Sequence, residues 1–341
     1  MLVGTILRVV FICLQLRSSA ASNENNFYDD NPYIMELTGK NFDKVIDNTN
    51  YTTMVEFYAP WCGYCQKFKP VMEQVSKKLN GLMNVAAVNC DLSINKRLCS
   101  EQGIEGFPTV LFYSPMRINI SVTYEDRTLF KRPAKQLYSG ERKVAPIMNY
   151  AYTKIVNYAK KVTATKTIEK ILGQKASVDG KTQSRDLKMM LFSEKDKVFP
   201  LLKAIAIDWL GIMDVYLVAK TRLTAFMAEH SALKESHPNI SLYLEELLAH
   251  QIEHKTKKDR RLVVFDTAND IYYEYDGDSF NKPEIAQFVT EKFGKVPLEG
   301  PTSKKHKMIE SILTGKNHNA KSRGTRKSRE KSKNKRVHDE L

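Results

Sequence analysis

Two cysteines separated by two residues are the side chains whose types and spacing most clearly indicate chemistry in this sequence. Cys62 and Cys65 follow an apolar run at 53–58 and open a helix-like segment at 62–79. A cysteine at a helix start faces backbone N–H groups without partners, and these groups and the helix dipole stabilise a thiolate. We therefore predict a redox pair in which Cys62 attacks a disulfide and Cys65 resolves the mixed disulfide.

Half of a zinc site is the alternative interpretation of this pair, and it needs a second pair of ligands. Cys90 and Cys99 are too far apart in sequence for the usual second pair, and no two histidines have ligand spacing. The strand before the pair and the helix after it favour the redox interpretation. We therefore expect no metal site.

The length and charge indicate about two domains and a basic C-terminal segment. The chain has 341 residues and a formal net charge of +14. Residues 301–341 hold 13 Lys and Arg residues against 4 Asp and Glu residues, and so carry most of the excess. A nucleic-acid binder is the class that such charge could suggest, but here the suggestion depends on the tail alone.

The two ends of the chain carry targeting signals. Residues 1–21 have Arg8, a mainly apolar run at 9–16 and small residues at 18–21, the pattern of a cleaved secretory signal. A membrane anchor is the alternative, but the run is far shorter than the roughly 20 residues that span a bilayer. The last four residues match the address that the retrieval receptor of the endoplasmic reticulum (ER) reads. They are His338, Asp339, Glu340 and Leu341.

Further features agree with an ER lumen location. Removal of the signal with Cys13 leaves four cysteines, an even number, in an oxidising compartment. Three sequons are candidate N-glycosylation sites, although each could be an unmodified surface asparagine. They begin at Asn50, Asn119 and Asn239.

Residues 27–161 are predicted to form a first α/β domain. Apolar strands at 53–58 and 84–89 alternate with helices at 62–79 and 93–102. A hairpin and a last helix over 144–160 follow. Strands and helices in this order predict a mixed sheet with helices on both faces.

Three motifs in this domain resemble those of the protein disulfide isomerase family, and the resemblance extends over the whole mature chain. They are Trp-Cys-Gly-Tyr-Cys at 61–65, Pro70, and Phe-Pro-Thr at 107–109. The resemblance implies an α/β protein with two thioredoxin-like domains. The first is redox-active, the second has no cysteines, and a disordered basic tail follows.

The resemblance also implies a substrate-binding surface around Cys62. Pro108 would be a cis-proline, and the backbone at Phe107 before it would pair with the bound substrate. The residues beside the two cysteines would contact the substrate as well. These are Trp61, Gly63 and Tyr64.

Two charged residues are assigned to proton transfer by the same resemblance. Glu56 matches a buried acid that exchanges a proton with Cys65, although on an alternating strand it could instead point to solvent. A lysine often faces this acid in the family, but the matching residue here is Ala87. Arg142 matches a mobile arginine that lowers the pKa of the resolving thiol, and it could equally be an ordinary surface arginine.

Cys90 and Cys99 are either free buried thiols or a disulfide. Family members with this second pair use it structurally. Closing so short a loop would contribute about 2–3 kcal/mol through the unfolded state. In the ER lumen we expect Cys90 and Cys99 to be paired.

Residues 162–294 are predicted to repeat the strand and helix order without cysteines. The resemblance implies a redox-inactive domain that holds substrates or partners, and a domain that only supports the first is the alternative. Residues 301–341 lack apolar periodicity, which predicts a disordered tail. Helix could persist within it over 307–313.

Together these features predict a thiol–disulfide oxidoreductase of the ER lumen, a protein disulfide-isomerase acting on unfolded or misfolded secretory proteins. It would need no bound cofactor, because glutathione or an ER thiol oxidase would serve as redox partner. A lectin chaperone and the ER retrieval receptor are further expected partners, and we expect no nucleic acid and no membrane span. The competing class is a redox-poor chaperone or adaptor in which the second domain has the main task.

Overall fold

The computed structural model describes residues 26–115, 134–162, 165–173, 185–219, 231–253 and 260–314. Its first half contains five strands and four helices. In chain order they are β1 (Met35–Glu36), α1 (Phe42–Ile46), β2 (Thr53–Tyr58), α2 (Gly63–Leu79), β3 (Asn84–Asn89), α3 (Ser93–Glu101), β4 (Thr109–Ser114), β5 (Ala134–Leu137) and α4 (Val144–Lys154).

The five strands form one mixed sheet in the order β1–β3–β2–β4–β5. β1, β3 and β2 are parallel, whereas β4 and β5 run antiparallel to their neighbours. Every residue of the central strand β2 is buried, because helices or loops cover both faces of the sheet. Side chains alternate along a strand, so Met54 and Tyr58 pack in one apolar cluster and Val55 and Phe57 in another.

The described ranges of the second half contain five more strands and six more helices. They are β6 (Lys160–Val162), α5 (Thr165–Gly173), β7 (Leu187–Ser193), α6 (Pro200–Asp208), β8 (Asp214–Ala219), α7 (Ser231–Ser236), α8 (Pro238–Glu253), β9 (Arg261–Asp266), β10 (Ile271–Glu274), α9 (Lys282–Phe293) and α10 (Lys304–Thr314). Across the described parts of the chain, no helix combines the length and the apolar character that a bilayer span requires.

The second sheet repeats the strand arrangement of the first. Its order is β10–β9–β7–β8–β6, with β6, β8 and β7 parallel and β9 and β10 antiparallel. The central strand β7 is buried along its whole length, as β2 is in the first sheet. The predicted α/β fold with two mixed sheets is therefore confirmed.

The helix predicted over 144–160 is wrong beyond Lys154. Ile155 already has an extended backbone, and Lys160–Val162 pairs with β8 of the second sheet. The backbone groups of this segment find their partners in a strand instead of a helix. The second sheet therefore begins at Lys160, two residues before the predicted domain boundary at 162.

The prediction of disorder from residue 301 onward is also wrong for its first part. Residues 304–314 form α10, longer than the helix considered over 307–313. Ile309, Ile312 and Leu313 pack against the apolar cluster on the α1 side of the first sheet. Lys305 is 6% exposed, and its Nζ lies 2.6 Å from Oε1 of Glu299. Residues 315–341 lie outside the described part of the chain.

Candidate active site

The turn between β2 and α2 places Cys62 at the beginning of the helix. The N–H of Cys62 donates to the Ala59 carbonyl at 3.0 Å, and the N–H of Gln66 donates to the Cys62 carbonyl at 3.1 Å. Cys62 is therefore the N-cap residue of α2, with an extended backbone. Cys62 is 9% exposed and Cys65 is fully buried, and both are free thiols. The structure thus shows the dithiol form of the pair.

The Cys62 thiol has a pKa below its ordinary value. Burial acts to raise this pKa, but hydrogen bonds from the backbone and thiol of Cys65 and from the Tyr64 N–H lower it, as does the positive charge of Arg142. These N–H groups belong to the first turn of α2, which has no helical partners for them. The helix that Cys62 caps therefore stabilises its thiolate.

The Cys65 thiol is shifted in the opposite direction. Burial raises its pKa to about 12; the Ala59 backbone lowers it, while Cys62 and the negative charge of Glu56 raise it. Cys65 therefore stays a thiol under conditions in which Cys62 is a thiolate. A base must remove its proton before it can attack the Cys62 sulfur.

The loop before β4 faces the sulfur of Cys62. The Phe107–Pro108 peptide bond is cis, as expected from the resemblance. The Cys62 thiol donates to the Phe107 carbonyl at a distance of 3.6 Å between Sγ and oxygen. The backbone that would pair with a substrate strand thus lies beside the reactive sulfur.

Two exposed aromatic side chains are adjacent to the cysteines in sequence. Trp61 is 66% exposed and Tyr64 is 72% exposed. The Trp61 ring lies edge-on to the Phe107 ring with 6.0 Å between centroids, and its Nε1 donates to Asp91 at 3.1 Å. Gly63 is exposed, and a Cβ placed there would meet no atom within 4 Å. The side chains of Trp61, Tyr64 and the half-buried Phe107 are predicted to contact the substrate, and together we call them the apolar rim. Gly63, the remaining predicted contact position, is accessible as well.

Glu56 is fully buried on the same face of the first sheet as Cys65, and it does not point to solvent. Its Oε2 accepts a hydrogen bond of 2.6 Å from the Tyr28 hydroxyl. Burial raises the pKa of Glu56 to about 8; Tyr28 and the charge of Arg142 lower it, while Glu36 raises it. Ala87 lies beside Glu56 in β3 and supplies no positive charge.

Three residues around Glu56 were not predicted from the sequence. They are Tyr28, Glu36 and Tyr58, and all contact one another or Glu56. Tyr58 follows Glu56 by two residues on a strand, so period-two alternation could have placed it on the same face. Tyr28 lies 28 residues before Glu56, and no local pattern indicates that pairing.

Arg142 contacts the cis-proline loop and acts through its charge on both Cys62 and Glu56. Its Nη2 donates to the Pro108 carbonyl at 2.9 Å. Its positive charge lowers the pKa of Cys62 and of Glu56. The resemblance implied an effect on the resolving thiol, whereas in this conformation the arginine favours the thiolate of Cys62 and the carboxylate of Glu56.

Cys90 and Cys99 form a disulfide between the end of β3 and α3, with 6.0 Å between their Cα atoms. Both sulfurs belong to the apolar cluster on the face of the sheet opposite to Cys62 and Cys65. They are thus separated from the redox pair by the sheet itself. Within the described ranges, no three His, Cys, Asp or Glu side chains converge in a way that could hold a metal ion.

The three sequons differ in their surroundings. Asn50 is 3% exposed, and its Nδ2 is buried without a hydrogen-bond partner among the described residues. Burial of this nitrogen argues against a glycan at Asn50 in the folded chain. Asn239 is exposed near the start of α8, and Asn119 lies outside the described residues. The predicted signal at 1–21 and address at 338–341 also lie outside them.

A two-cysteine pair at a helix start, opposite a cis-proline loop and beside a buried acid, defines a thiol–disulfide oxidoreductase. Comparison with known proteins agrees with that class. The Thioredoxin family model matches residues 33–130. The family model matches only the part of the chain that holds the first sheet. The second sheet has the same strand arrangement, so both sheets are thioredoxin-like in strand order.

The chain is 38% identical to the protein disulfide-isomerase MPD1 of Saccharomyces cerevisiae over 336 residues, which cover 98% of this chain and 99% of that protein. A putative protein disulfide-isomerase of Dictyostelium discoideum is 36% identical over 184 residues, covering 54% of this chain and 40% of its own length. The chain belongs to the protein disulfide-isomerase family and catalyses thiol–disulfide exchange.

One comparison with a solved structure adds nothing to that assignment. Full-length ERdj5 is 16% identical to this chain, and the match covers 79% of this chain and 33% of ERdj5. The TM-score of this match is 0.41.

Proposed function

We propose that this protein forms, reduces and rearranges disulfides in folding secretory proteins of the ER lumen, with Cys62 as nucleophile and Cys65 as resolving thiol. The observation that carries the proposal is the unequal pair of thiols at the start of α2. The pKa of the Cys62 thiol is lowered, and that of Cys65 is raised to about 12. In such a pair one cysteine attacks the client disulfide and the other resolves the mixed disulfide.

In the reducing direction, the Cys62 thiolate attacks one sulfur of a client disulfide. A bond forms between this sulfur and Cys62, and the other client sulfur leaves as a thiolate. Cys65 then loses its proton and attacks the Cys62 sulfur, which releases the second client thiolate. The client gains two electrons and the protein is left with a Cys62–Cys65 disulfide; oxidation of a client is the reverse sequence.

Glu56 is the base that we propose for Cys65. With its pKa raised to about 8, Glu56 is a stronger base than an ordinary carboxylate; the fraction that is ionised and can accept the thiol proton grows as the pH rises towards 8, and the protonated form can return the proton in the reverse direction. Cys65 of α2 is fully buried in the apolar cluster on the face of the first sheet to which Glu56 belongs, and the charge of Glu56 acts on its pKa. Arg142 supports the ionised forms of both Glu56 and Cys62.

The apolar rim of Trp61, Tyr64 and Phe107 is the surface that we propose for client binding. Unfolded proteins expose apolar side chains, and aromatic rings provide large contact areas for them. A client strand would pair with the backbone before Pro108, next to the Cys62 sulfur. Residues from Lys160 to 294 form the second unit, which we propose holds clients or partners without redox chemistry, because it contains no cysteine.

The remaining partners are proposals from the family and the sequence. Glutathione or an ER thiol oxidase would return the Cys62–Cys65 pair to its starting redox state. A lectin chaperone and the retrieval receptor are further candidates, the latter through residues 338–341. The Cys90–Cys99 disulfide, buried on the opposite face of the sheet, is consistent with an oxidising compartment.

Trapping of client intermediates tests the assignment of the two thiols. The Cys65→Ala protein should accumulate mixed disulfides through Cys62, because the resolving thiol is gone. The measurement is a denaturing non-reducing gel of the purified full chain incubated with scrambled ribonuclease. A Cys62→Ala, Cys65→Ala protein is the matched control and should trap nothing.

Insulin reduction and refolding of scrambled ribonuclease measure the activity itself. The wild-type protein should catalyse both, and Cys62→Ala should abolish both. If refolding assistance persists in Cys62→Ala, the competing function of a redox-poor chaperone is correct. If trapping instead depends on Cys90 or Cys99, the assignment of the reactive pair is wrong.

A further inference from the structure

Two glutamates occupy matching positions on either side of one alanine in the first sheet. Ala87 of β3 pairs with Glu36 of β1 on one side and with Glu56 of β2 on the other. Neighbours at the same level of parallel strands place their side chains on the same face. The two Cα atoms are about two strand spacings apart, about 10 Å, which is within the reach of two glutamate side chains.

Each of the two carboxylates accepts a hydrogen bond from a different tyrosine hydroxyl through one of its oxygens. The Tyr28 hydroxyl donates to Oε2 of Glu56 at 2.6 Å, and the Tyr58 hydroxyl donates to Oε1 of Glu36 at 2.8 Å. The backbone N–H of Tyr28 donates to the same Glu36 oxygen at 3.1 Å. The second oxygen of each carboxylate, Oε2 of Glu36 and Oε1 of Glu56, is buried without a hydrogen-bond partner among the described residues.

The charged groups around Glu36 and Glu56 do not favour a state in which both carboxylates are ionised. Asp29 from the N-terminal segment acts on Glu36, and Arg142 from the loop before α4 acts on Glu56. Tyr28 and Tyr58 remain neutral, because burial and the nearby carboxylates raise their pKa values far above the ordinary range. The two carboxylates repel each other when both are ionised, and the charge of Glu36 is one of the groups that raise the pKa of Glu56. Ala87, where a lysine could have balanced them, leaves that repulsion in place.

We propose that Glu36 is a positioning residue of the redox centre: its charge controls when Glu56 can accept the proton of Cys65. This inference rests on the proposed role of Glu56 as the base for Cys65. When Glu36 is ionised, a second negative charge on Glu56 is disfavoured, so a smaller fraction of Glu56 is ionised and able to act as a base at a given pH. When Glu36 is neutral, Glu56 ionises more readily. Glu36 thus raises the pKa of the buried acid, whereas a lysine near that acid would lower it.

The titration of the two acids supports this order. Burial raises the pKa of Glu36 to about 7, while Tyr58 and the Tyr28 N–H lower it and Asp29 raises it. Glu56, with a pKa of about 8, is the weaker acid, and Glu36 is one of the groups that raise it. As the pH falls, Glu56 therefore takes up a proton before Glu36 does.

Glu36→Gln in the full chain is the direct test. The glutamine keeps an oxygen that can accept from Tyr58 and from the Tyr28 N–H, and it removes only the charge. The rate constant for attack of Cys65 on a preformed Cys62 mixed disulfide, measured by stopped flow against pH, should have its midpoint at lower pH. At pH 6.5 it should rise roughly threefold or more, which corresponds to about half a pKa unit or more. Glu101→Gln, an exposed carboxylate of α3, is the control and should change nothing.

An infrared difference spectrum of the carboxylic C=O band follows the protonation of Glu56 without any turnover. The band that disappears in Glu56→Gln is assigned to Glu56, and its titration midpoint should fall in Glu36→Gln. Asp29→Asn should move the same midpoint in the opposite direction, because loss of this charge lets Glu36 ionise more readily. The Asp29 variant also keeps the test valid if Glu36→Gln does not fold.

The outcomes separate the two hypotheses. If Glu56→Gln slows the Cys65 step but Glu36→Gln and Asp29→Asn leave both midpoints unchanged, Glu36 has no control and the inference is overturned. If Glu56→Gln leaves the Cys65 step unchanged, the proposed base is wrong. In that case the infrared midpoint still decides whether Glu36 governs the protonation of Glu56.

Discussion

The hydroxyl of Tyr51 donates a hydrogen bond of 2.6 Å to Oδ1 of Asp208, from a residue 157 positions earlier in the chain. Tyr51 precedes β2 of the first sheet, and Asp208 ends α6, which packs on the second. Lys282 of α9 completes the contact: its Nζ lies 2.9 Å from Oδ2 of Asp208 and donates to the Tyr51 hydroxyl at 2.6 Å. Ala204 and Ile207 of α6 also belong to the apolar core of the first sheet. A buried ionic contact thus joins the two halves of the molecule.

Lys282→Met should destabilise the protein, because it leaves the Asp208 carboxylate buried without its cation. Breaking one side of such a pair typically costs about 3–5 kcal/mol. Burial raises the pKa of Asp208 to about 6 even though Lys282 and Tyr51 lower it. Without the lysine the aspartate will protonate more readily, so the loss should be larger at pH 7.5 than at pH 5. Urea unfolding at both pH values measures it.

Lys295→Met, an exposed lysine just after the same helix, is the control for that experiment and should unfold like the wild type. Adding Asp208→Asn to Lys282→Met should recover part of the lost free energy of unfolding and remove its pH dependence. An equal loss at both pH values in Lys282→Met alone would contradict the view that the unpaired charge is the cause.

Glu56→Gln should change how stability depends on pH. The pKa of Glu56 is raised from an ordinary 4.5 to about 8, so the folded state binds more protons than the unfolded state between these values. The free energy of unfolding contributed by this group therefore falls as the pH rises from about 4.5 to 8. Glutamine cannot ionise, so the variant should gain stability relative to the wild type over that window.

The expected relative gain from pH 5 to pH 8 is on the order of a few kcal/mol. Guanidinium unfolding of both proteins across the range measures it. The comparison uses the difference between the two pH values, so any constant cost of the substitution cancels. A difference that does not vary with pH would show that Glu56 is ionised in the folded state throughout.

Replacing both Cys90 and Cys99 by alanine should lower stability without altering the redox centre. The disulfide closes a short loop, and its loss should cost about 2–3 kcal/mol through the unfolded state. The pair lies on the opposite face of the sheet from Cys62 and Cys65. Thermal unfolding and a glutathione redox titration of the variant make the two measurements. A large shift of the Cys62–Cys65 equilibrium with unchanged stability would make Cys90 and Cys99 a redox relay instead.

Tyr64→His should make the redox pair more oxidising. Tyr64 lies in the first turn of α2, its side chain is 72% exposed, and its backbone N–H already lowers the Cys62 pKa. A histidine there can carry positive charge near neutral pH and stabilise the Cys62 thiolate further. Stabilising the dithiol raises the reduction potential by roughly 30 mV for each ~1.4 kcal/mol.

The wild-type potential should lie between about −270 mV for thioredoxin and about −180 mV for protein disulfide isomerase. A glutathione titration, with the thiolate absorbance near 240 nm followed against pH, measures both the potential and the pKa. Tyr64→Phe is the control and should leave both near their wild-type values. An unchanged or lower potential in Tyr64→His would indicate that Arg142 or Glu56 controls the site.

The sequence by itself determined the redox pair and the secondary structure around it. Cys62 and Cys65 follow an apolar run that predicts a strand, and the predicted bounds of β2 and β3, 53–58 and 84–89, match the structure. These features can be predicted from residues close together in sequence, because the apolar patterns of strands and helices repeat every two and about 3.6 residues. The roles expected for Pro108 and Glu56 came instead from the resemblance to the protein disulfide isomerase family, and the structure shows the cis bond before Pro108 and the burial of Glu56.

Only the tertiary structure decided the surroundings of those residues. Tyr28 reaches Glu56 across 28 positions, Glu36 faces Glu56 across an intervening strand, and Lys282 reaches Tyr51 across 231. Sequence position carries no information about such contacts, because strand order and register bring the residues together. The same holds for Asn50, which has a sequon but lies buried against Glu299. Burial and partners set the pKa of each acid, and both follow from the packing of elements that are distant along the chain.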